Sequence, residues 1–514
     1  MFNKKQFWIL CQTFCFVSLL VVMSTFAEVG KMTPEKKTAI DWIDKNKSAH
    51  DEIAIYIWEH PELCFVEFKS VAKLQKYLNE NDFRIEKGIS GMETAFIASW
   101  GSGNPVIGFL GEYDALPNLS QEKGLAEENP IVKGAPGHGC GHNIFGSSSA
   151  MAAIATAKAM KKHGIAGTVK FYGTPAEEAG DAKAFMVRDG AWDDCDIAIS
   201  WHPGSENAVA YETNLALKNV KVRFHGRSAH AGSSPHLGRS ALDAVELFNI
   251  GMNYMREHIP DNTRIEYIIT SGGEAPNNVP PYAEVWYFLR APRMPIVEHM
   301  YEWMQQVAEG AALMTQTKGE VKLQSGCWEA LPSRTLAVVG DANITLIGAP
   351  PFTAEDQKFG EEIAKALEKM GVKGIQPPYY DTEVMHLDLS KTFPNMRRGM
   401  YSADTGDVSW KVPLLRFESA THVKRTIGHN WIQVAQNAVP PALKAGLTAS
   451  KWMAASALDM LKDPQVIKEA WAEHKRVLDK TPYYPLPKDL PVPTFLELYG
   501  RKWESVPKPP TYEN

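Results

Sequence analysis

Cysteine is scarce in this chain: six residues among 514, of which Cys11 and Cys15 fall inside an apolar run at the start. The other four, Cys64, Cys140, Cys195 and Cys327, are too few and too scattered for a disulfide framework. A cysteine without a disulfide is free to act as a thiolate ligand. Positive charge is also in short supply. The formal net charge is −6 and no basic stripe occurs, which argues against nucleic acid or an anionic membrane as a partner. After the first residues no run is long and apolar enough to span a bilayer, and there is no internal repeat or low-complexity segment. What is present is an average globular composition, 44% hydrophobic and 22% charged, in a chain long enough for two or more domains around a large core.

The start differs from the rest. Lys4 and Lys5 precede the uncharged run FWILCQTFCFVSLLVVM (Phe7 to Met23), which exits through STFA before Glu28. That order reads as a secretory signal peptide over residues 1–27, cut after Ala27, and predicts export to the periplasm or the extracellular space. An uncleaved membrane anchor is the alternative, because the run approaches the ~20 residues of a span.

Thr33 and Pro34 form an N-cap and first-turn pair, and the apolar residues that follow predict helix up to about Pro61. From about 95 to 205 the runs PVIGFLG, GTVKFYG and DIAISW alternate with helical stretches such as Ile144 to His163, which Gly164 would stop. Alternation of this kind predicts an α/β domain with a mainly parallel sheet. Each run leads directly into a polar cluster, EYDALP, TPAEE and HPG in turn. Ligands of open α/β sheets bind at the carboxyl ends of the strands, so the three clusters should converge. Residues 217–328 then read β-α-β-β-α-β, the split βαβ (ferredoxin-like) order of a small inserted lid or dimerisation domain. The catalytic domain accordingly divides into 28–216 and 329–480, and a Pro/Tyr-rich tail over 481–514 should wrap the surface.

Cys140, His142, Glu177, Glu178 and His202 all lie on the predicted rim. Thiolate, imidazole and carboxylate are donors for zinc and related divalent ions. Cys140-Gly141-His142 places two donors around a glycine that lets the backbone turn sharply. Of the adjacent Glu177 and Glu178, one can bind metal while the other stays free as a base. Singly, each has a plainer reading as a core cysteine, a hydrogen-bonded histidine or a solvated helix start; together, on successive strand ends, they predict a metal site.

The ordered motifs GHGCGHN, TPAEEAG, SWHPG, GRSAHAGSSPHLGRSALDA and GGEAPNNVPPYAEVWYFLR, followed by GDVSW and GHNW, resemble the M20 metallopeptidase and amidohydrolase family, in particular its N-acyl amino acid amidohydrolase branch. The resemblance runs from about residue 35 to 470. It implies Cys140, His142, Glu178, His202 and His429 as ligands of two divalent ions, zinc or manganese, and Glu177 as general base. It further implies His230 as a lid histidine that reaches the partner subunit's site in a homodimer and steadies the oxyanion. Asn277 and Arg290 would hold substrate, and a second kind of subunit is left open. Two departures stand out: Glu112-Tyr113-Asp114 replaces the His-x-Asp of many relatives, removing a ligand and leaving Asp114 to orient an imidazole, and Asn143 replaces an Asp, with an expected effect on ligand basicity. His138, His225 and His422 are unassigned, and His422 is the rival of His429 for the last ligand.

The implied reaction is hydrolysis of an N-acyl or N-aroyl amino acid, p-aminobenzoyl-glutamate or a relative of it, by a metal-activated water with Glu177 as base. A dipeptidase or aminopeptidase of the same family is one alternative. A non-catalytic metal- or ligand-binding protein is the other, and Glu177 argues against it, because binding alone needs no free carboxylate beside a metal.

Overall fold

The structure, a computed structural model, describes residues 29–510, so the signal segment lies outside the described residues. In chain order the strands are β1 (Arg84–Lys87), β2 (Phe96–Ser102), β3 (Val106–Gly111), β4 (Gly167–Gly173), β5 (Ile197–Gly204), β6 (Ala208–Val209), β7 (Ala216–His225), β8 (Arg264–Ser271), β9 (Tyr282–Ala291), β10 (Lys318–Cys327) and β11 (Leu414–Ala420). Seven of them form one sheet in the order β1-β2-β4-β3-β5-β11-β6. The middle four are parallel and the outer pairings antiparallel. Every side chain of β3 is buried, as expected for a strand covered on both faces.

The helix His142–His163 crosses one face of this sheet, under the helix Pro440–Lys462, and is buried along nearly its whole length. Small residues make that possible. A Cβ on Gly146 would stand 2.5 Å from the carbonyl oxygen of Glu112, so the glycine lets the helix lie against the exit of β3. Gly164, at φ +66, ends the helix where the sequence predicts. The long first helix is instead two, Pro34–Lys45 and Lys47–Glu59: the chain leaves helical geometry at Asn46, whose Nδ2 donates to the carbonyl of Trp42. Among the described residues no helix is long and apolar enough to cross a membrane.

The other four strands form a separate antiparallel sheet, β10-β7-β9-β8, the order of a split βαβ unit. One face, with Val220, Val222, Phe224, Val285, Tyr287 and Leu289, packs on the helices Ala241–Met255 and Met294–Thr315 through Phe248, Met252, Met300 and Met304. The opposite face carries Asn219, Lys221, Glu284, Trp286, Phe288 and Arg290. It is turned to the body: Asn219 Nδ2 donates to the Ala179 carbonyl at 2.9 Å.

The tail runs across both sheets. Trp328 Nε1 donates to the Tyr484 carbonyl at 3.0 Å, Lys322 pairs with Glu497 at 2.8 Å, and Tyr499 meets Trp286 edge to face. On the body side Phe495 packs with Leu63 and Val66, and Arg188 donates to the Leu490 carbonyl. The tail is therefore a strap between insert and body.

Candidate active site

The polar clusters after β3, β4 and β5 do converge, and each donor arrives by its own device. Gly141 precedes the helix at φ +90, and a Cβ there would stand 2.9 Å from Pro203; its absence lets Cys140 and His142 close onto β5. Ala176 is held at φ 55, ψ 37, a conformation that costs a residue with a Cβ roughly 1–2 kcal/mol. Its N–H donates to the buried Glu67 Oε1 at 2.8 Å, which fixes the strained turn from which Glu177 and Glu178 project. His202 lies near the end of β5 with Nδ1 2.7 Å from the Pro203 carbonyl and Nε2 3.5 Å from Cys140 Sγ. His429, itself at φ 51, puts Nε2 3.4 Å from Glu178 Oε2.

Three overlapping donor groups result, each with its ligand atoms within 4.8 Å of one another: Cys140, His142 and His202; Cys140, Glu178 and His429; Glu112, His142 and Glu177. His422 belongs to none of them; it lines the adjoining cavity, with Nδ1 3.2 Å from Thr421 Oγ1. Asp114 sits behind the donors. Its Oδ1 lies 2.8 Å from His142 Nδ1 and its Oδ2 accepts the Glu178 N–H at 2.9 Å, so one carboxylate orients two donors.

Two sequence expectations need correction. The Glu-Tyr-Asp stretch does supply a candidate donor: Glu112 Oε2 lies 3.1 Å from His142 Nε2, while its Oε1 pairs with Lys183 at 2.8 Å, and Lys183 also pairs with Asp404 at 2.6 Å. The signal was its place in the EYDALP cluster at a strand end. Asn143, by contrast, belongs to none of the donor groups and donates through Nδ2 to the carbonyls of Ala54 and Asn437 at 3.1 and 2.8 Å, which makes it a packing residue. His138 is likewise structural, with Nε2 3.0 Å from the Ile57 carbonyl, and His225 is at the exposed end of β7.

The lid residues divide. Arg290 and Phe288 of β9 line a cavity of about 300 Å³ together with Cys140, Glu177, Glu178, His202 and His429. His230 and Asn277 are exposed and do not line it; His230 Nδ1 accepts the N–H groups of Gly232 and Ser233 at 3.1 and 3.0 Å, and the Asn277 carbonyl accepts the Ala231 N–H.

Electrostatics mark the donors out. Burial, then the Glu112 and Glu178 carboxylates, push Glu177 well above the usual carboxylate range. Burial, then Glu178, push the Cys140 thiol up to about 12. Burial pulls His202 down to about 4, keeping its imidazole neutral and able to ligate. Three buried atoms make no hydrogen bond among the described residues: Glu112 Oε2 and His142 Nε2, which face each other at 3.1 Å, and Glu178 Oε1, left unpaired at a cost of ~1–3 kcal/mol. A cation among them removes that cost and draws the thiol into its thiolate form, so the residues present fit divalent metal.

Relatives share this architecture. Over 466 residues the chain is 40% identical to the B-type chain of p-aminobenzoyl-glutamate hydrolase from Escherichia coli (strain K12), covering 88% of this chain and 97% of that protein. It is 29% identical over 334 residues to Xaa-Arg dipeptidase of Mus musculus, covering 62% and 73%. Two solved structures share the fold: the aminobenzoyl-glutamate utilization protein from Klebsiella pneumoniae, with a TM-score of 0.52 at 16% identity over 79% of this chain and 97% of that one, and a dinuclear metal-binding peptidase of the M20 family from Bacillus subtilis, with 0.50 at 18% over 82% and 99%. A profile of peptidase family M20/M25/M40 matches residues 108–401. With all the donors but His429 inside that span and a relative at 40% identity over most of its length, the chain belongs to the M20 metallopeptidase family and is a hydrolase of C–N bonds.

Proposed function

We propose that the protein hydrolyses the amide bond of N-acyl or N-aroyl amino acids at a two-metal centre held by Cys140, His142, Glu178, His202 and His429. The single observation that carries this reading is the division between the two adjacent glutamates. The backbone N–H of Glu178 is held by Asp114 and its Oε2 lies 3.4 Å from His429 Nε2, whereas Glu177 Oε2 comes no nearer than 4.0 Å to His142 Nε2 beside the cavity. Divalent ions held by these residues would supply Lewis acidity, polarising the carbonyl and acidifying the attacking water. Glu177 takes the proton from that water and returns it to the leaving nitrogen, a task suited to a carboxyl whose environment raises its pKa. The Cys140 thiolate favours zinc, with manganese the other metal to assay.

The lid completes the site from a second copy of the chain. His230 donates to the oxyanion of the partner's site, which accounts for its exposure within its own chain. Edge strand β8 exposes Ile268 and Ile269, the apolar edge through which two copies pair in a homodimer. Because the E. coli p-aminobenzoyl-glutamate hydrolase has two kinds of subunit, both similar to this chain, a second kind of chain is the alternative partner. Residues 1–27 direct export.

The substrates to assay are p-aminobenzoyl-glutamate, other aroyl amino acids, and dipeptides ending in arginine, since Xaa-Arg dipeptidase is also a relative. Glu177→Gln lowers kcat by roughly 10²–10⁴-fold while elemental analysis shows the metal content unchanged. Undiminished hydrolysis with metal bound would remove Glu177 from its role.

A further inference from the structure

Among the residues lining the cavity, a second arginine has no task in hydrolysis. Arg416 stands on β11, in register with Ser200 of β5, two residues before the position opposite His202. Arg290 stands on β9 of the lid. Both line the cavity beside the donors, one on the body wall and one on the lid wall.

Neither guanidinium is satisfied. Arg416 Nη2 donates to the Tyr401 hydroxyl at 3.4 Å, and its Nη1 is buried with no hydrogen-bond partner among the described residues. Tyr401 passes that contact on to Glu212 Oε1 at 3.1 Å. Among the described residues Arg290 forms one ion pair, with the half-exposed Glu266 at 3.5 Å through Nε, an atom that makes no hydrogen bond there; the Phe288 ring lies 5.3 Å from its guanidinium carbon. The carboxylates on the cavity wall are engaged elsewhere. Glu177 and Glu178 belong to the catalytic centre, Glu418 Oε1 accepts the N–H groups of Ser205 and Glu206 at 2.9 and 3.1 Å, and Asp181 Oδ2 accepts Ser325 Oγ at 2.6 Å. A guanidinium offers five donors in a planar fork matched to a carboxylate, so two such forks facing one small cavity leave room for two carboxylates.

We infer that Arg416 and Arg290 together read the two carboxylates of an acidic amino acid, making Arg416 a specificity-determining residue for amides of glutamate or aspartate. The inference rests on the amidohydrolase reading above. A neutral amino acid leaves one buried guanidinium unpaired, and a basic one meets like charge.

The test compares metal-loaded wild type with Arg416→Met and Arg416→Lys on N-benzoylglutamate, N-benzoylglutamine and N-benzoylarginine, by hydrolysis and by calorimetric binding. Wild type is expected to favour the glutamate over the glutamine compound by roughly 10²-fold or more in kcat/KM. In Arg416→Met that preference falls below about tenfold, because KM rises far more for the glutamate than for the glutamine compound while metal content holds, and Arg416→Lys recovers part of it. Equal loss on glutamate and glutamine compounds, or a wild-type preference for the neutral or basic one, overturns the proposal. If no amide is cleaved the hydrolase reading fails by itself; the calorimetry then decides, because selective binding of benzoylglutamate that Arg416→Met abolishes upholds the pair, and unselective binding defeats it.

Discussion

The two halves of the site are held in different ways. Cys140, His142, Glu178 and His202 are wholly or mostly buried, and the last three are fixed from behind: His142 and Glu178 by Asp114, His202 by the Pro203 carbonyl. His429 is 57% exposed on a left-handed loop residue, and His230 lies on the lid, outside the cavity of its own chain. The buried half is held by the chain's own hydrogen bonds, whereas His429 and His230 stand exposed on a loop and on the inserted domain. A metallohydrolase built this way can keep its donors in register while its mouth admits substrate.

The largest contrast should come from removing one donor on each side. His142→Ala is expected to abolish stoichiometric metal binding, whereas His429→Ala weakens metal binding without abolishing it, by at least the roughly 10–100-fold of an outer-shell loss; isothermal titration with zinc measures both, and equal losses would erase the distinction. His230→Ala should lower kcat by about 10²–10³-fold, as loss of one oxyanion donor does elsewhere, with KM and metal content steady. Mixing Glu177→Gln with His230→Ala subunits then restores activity if the histidine works across a dimer, and no recovery after subunit exchange keeps it within its own chain. Asp114→Asn should cost roughly 10–100-fold in metal affinity, and little or no change would mean the burial of His142 suffices without its orienting carboxylate.

The smallest effect concerns the lid's own stability. Burial raises Glu284, but Lys221, Arg223 and Thr270 outweigh it and pull the carboxyl down to about 2. A carboxyl depressed in the folded state contributes stability above its unfolded value of ~4.3, and that contribution is lost as pH falls toward about 2. The thermal advantage of wild type over Glu284→Gln should therefore shrink between about pH 5 and about pH 3; a constant gap would show that the ion pairs add nothing there.

Much of the fold was legible because its signals are local. Gly164 stops a helix, and β3 is apolar on both faces. The candidate donors were legible because each lies at a strand end or beside a helix start. The misses came from residues whose meaning lies elsewhere in the chain. Glu112 is set by Lys183 and Asp404, and Asn143 is claimed by carbonyls of Ala54 and Asn437. Arg416 reads as one polar residue in a strand until Tyr401 and the lid enclose it. The break at Asn46 escaped because apolar periodicity continues through it while a single side chain ends the helix.

The insert begins and ends on neighbouring strands, with Leu217 of β7 opposite Cys327 of β10. Before the insert folds, β5 and β11 are separated by a long floppy loop, and closing it has an entropic cost that grows with its length. Once β7 and β10 pair, the chain leaves the insert beside the point where it entered, and what remains between β5 and β11 behaves as a much shorter loop. The insert would then act during folding as a clip that brings Arg416 and His429 back to a rim begun by Cys140, so a variant that weakens the β7–β10 pairing should slow the formation of the metal site more than it lowers its final affinity.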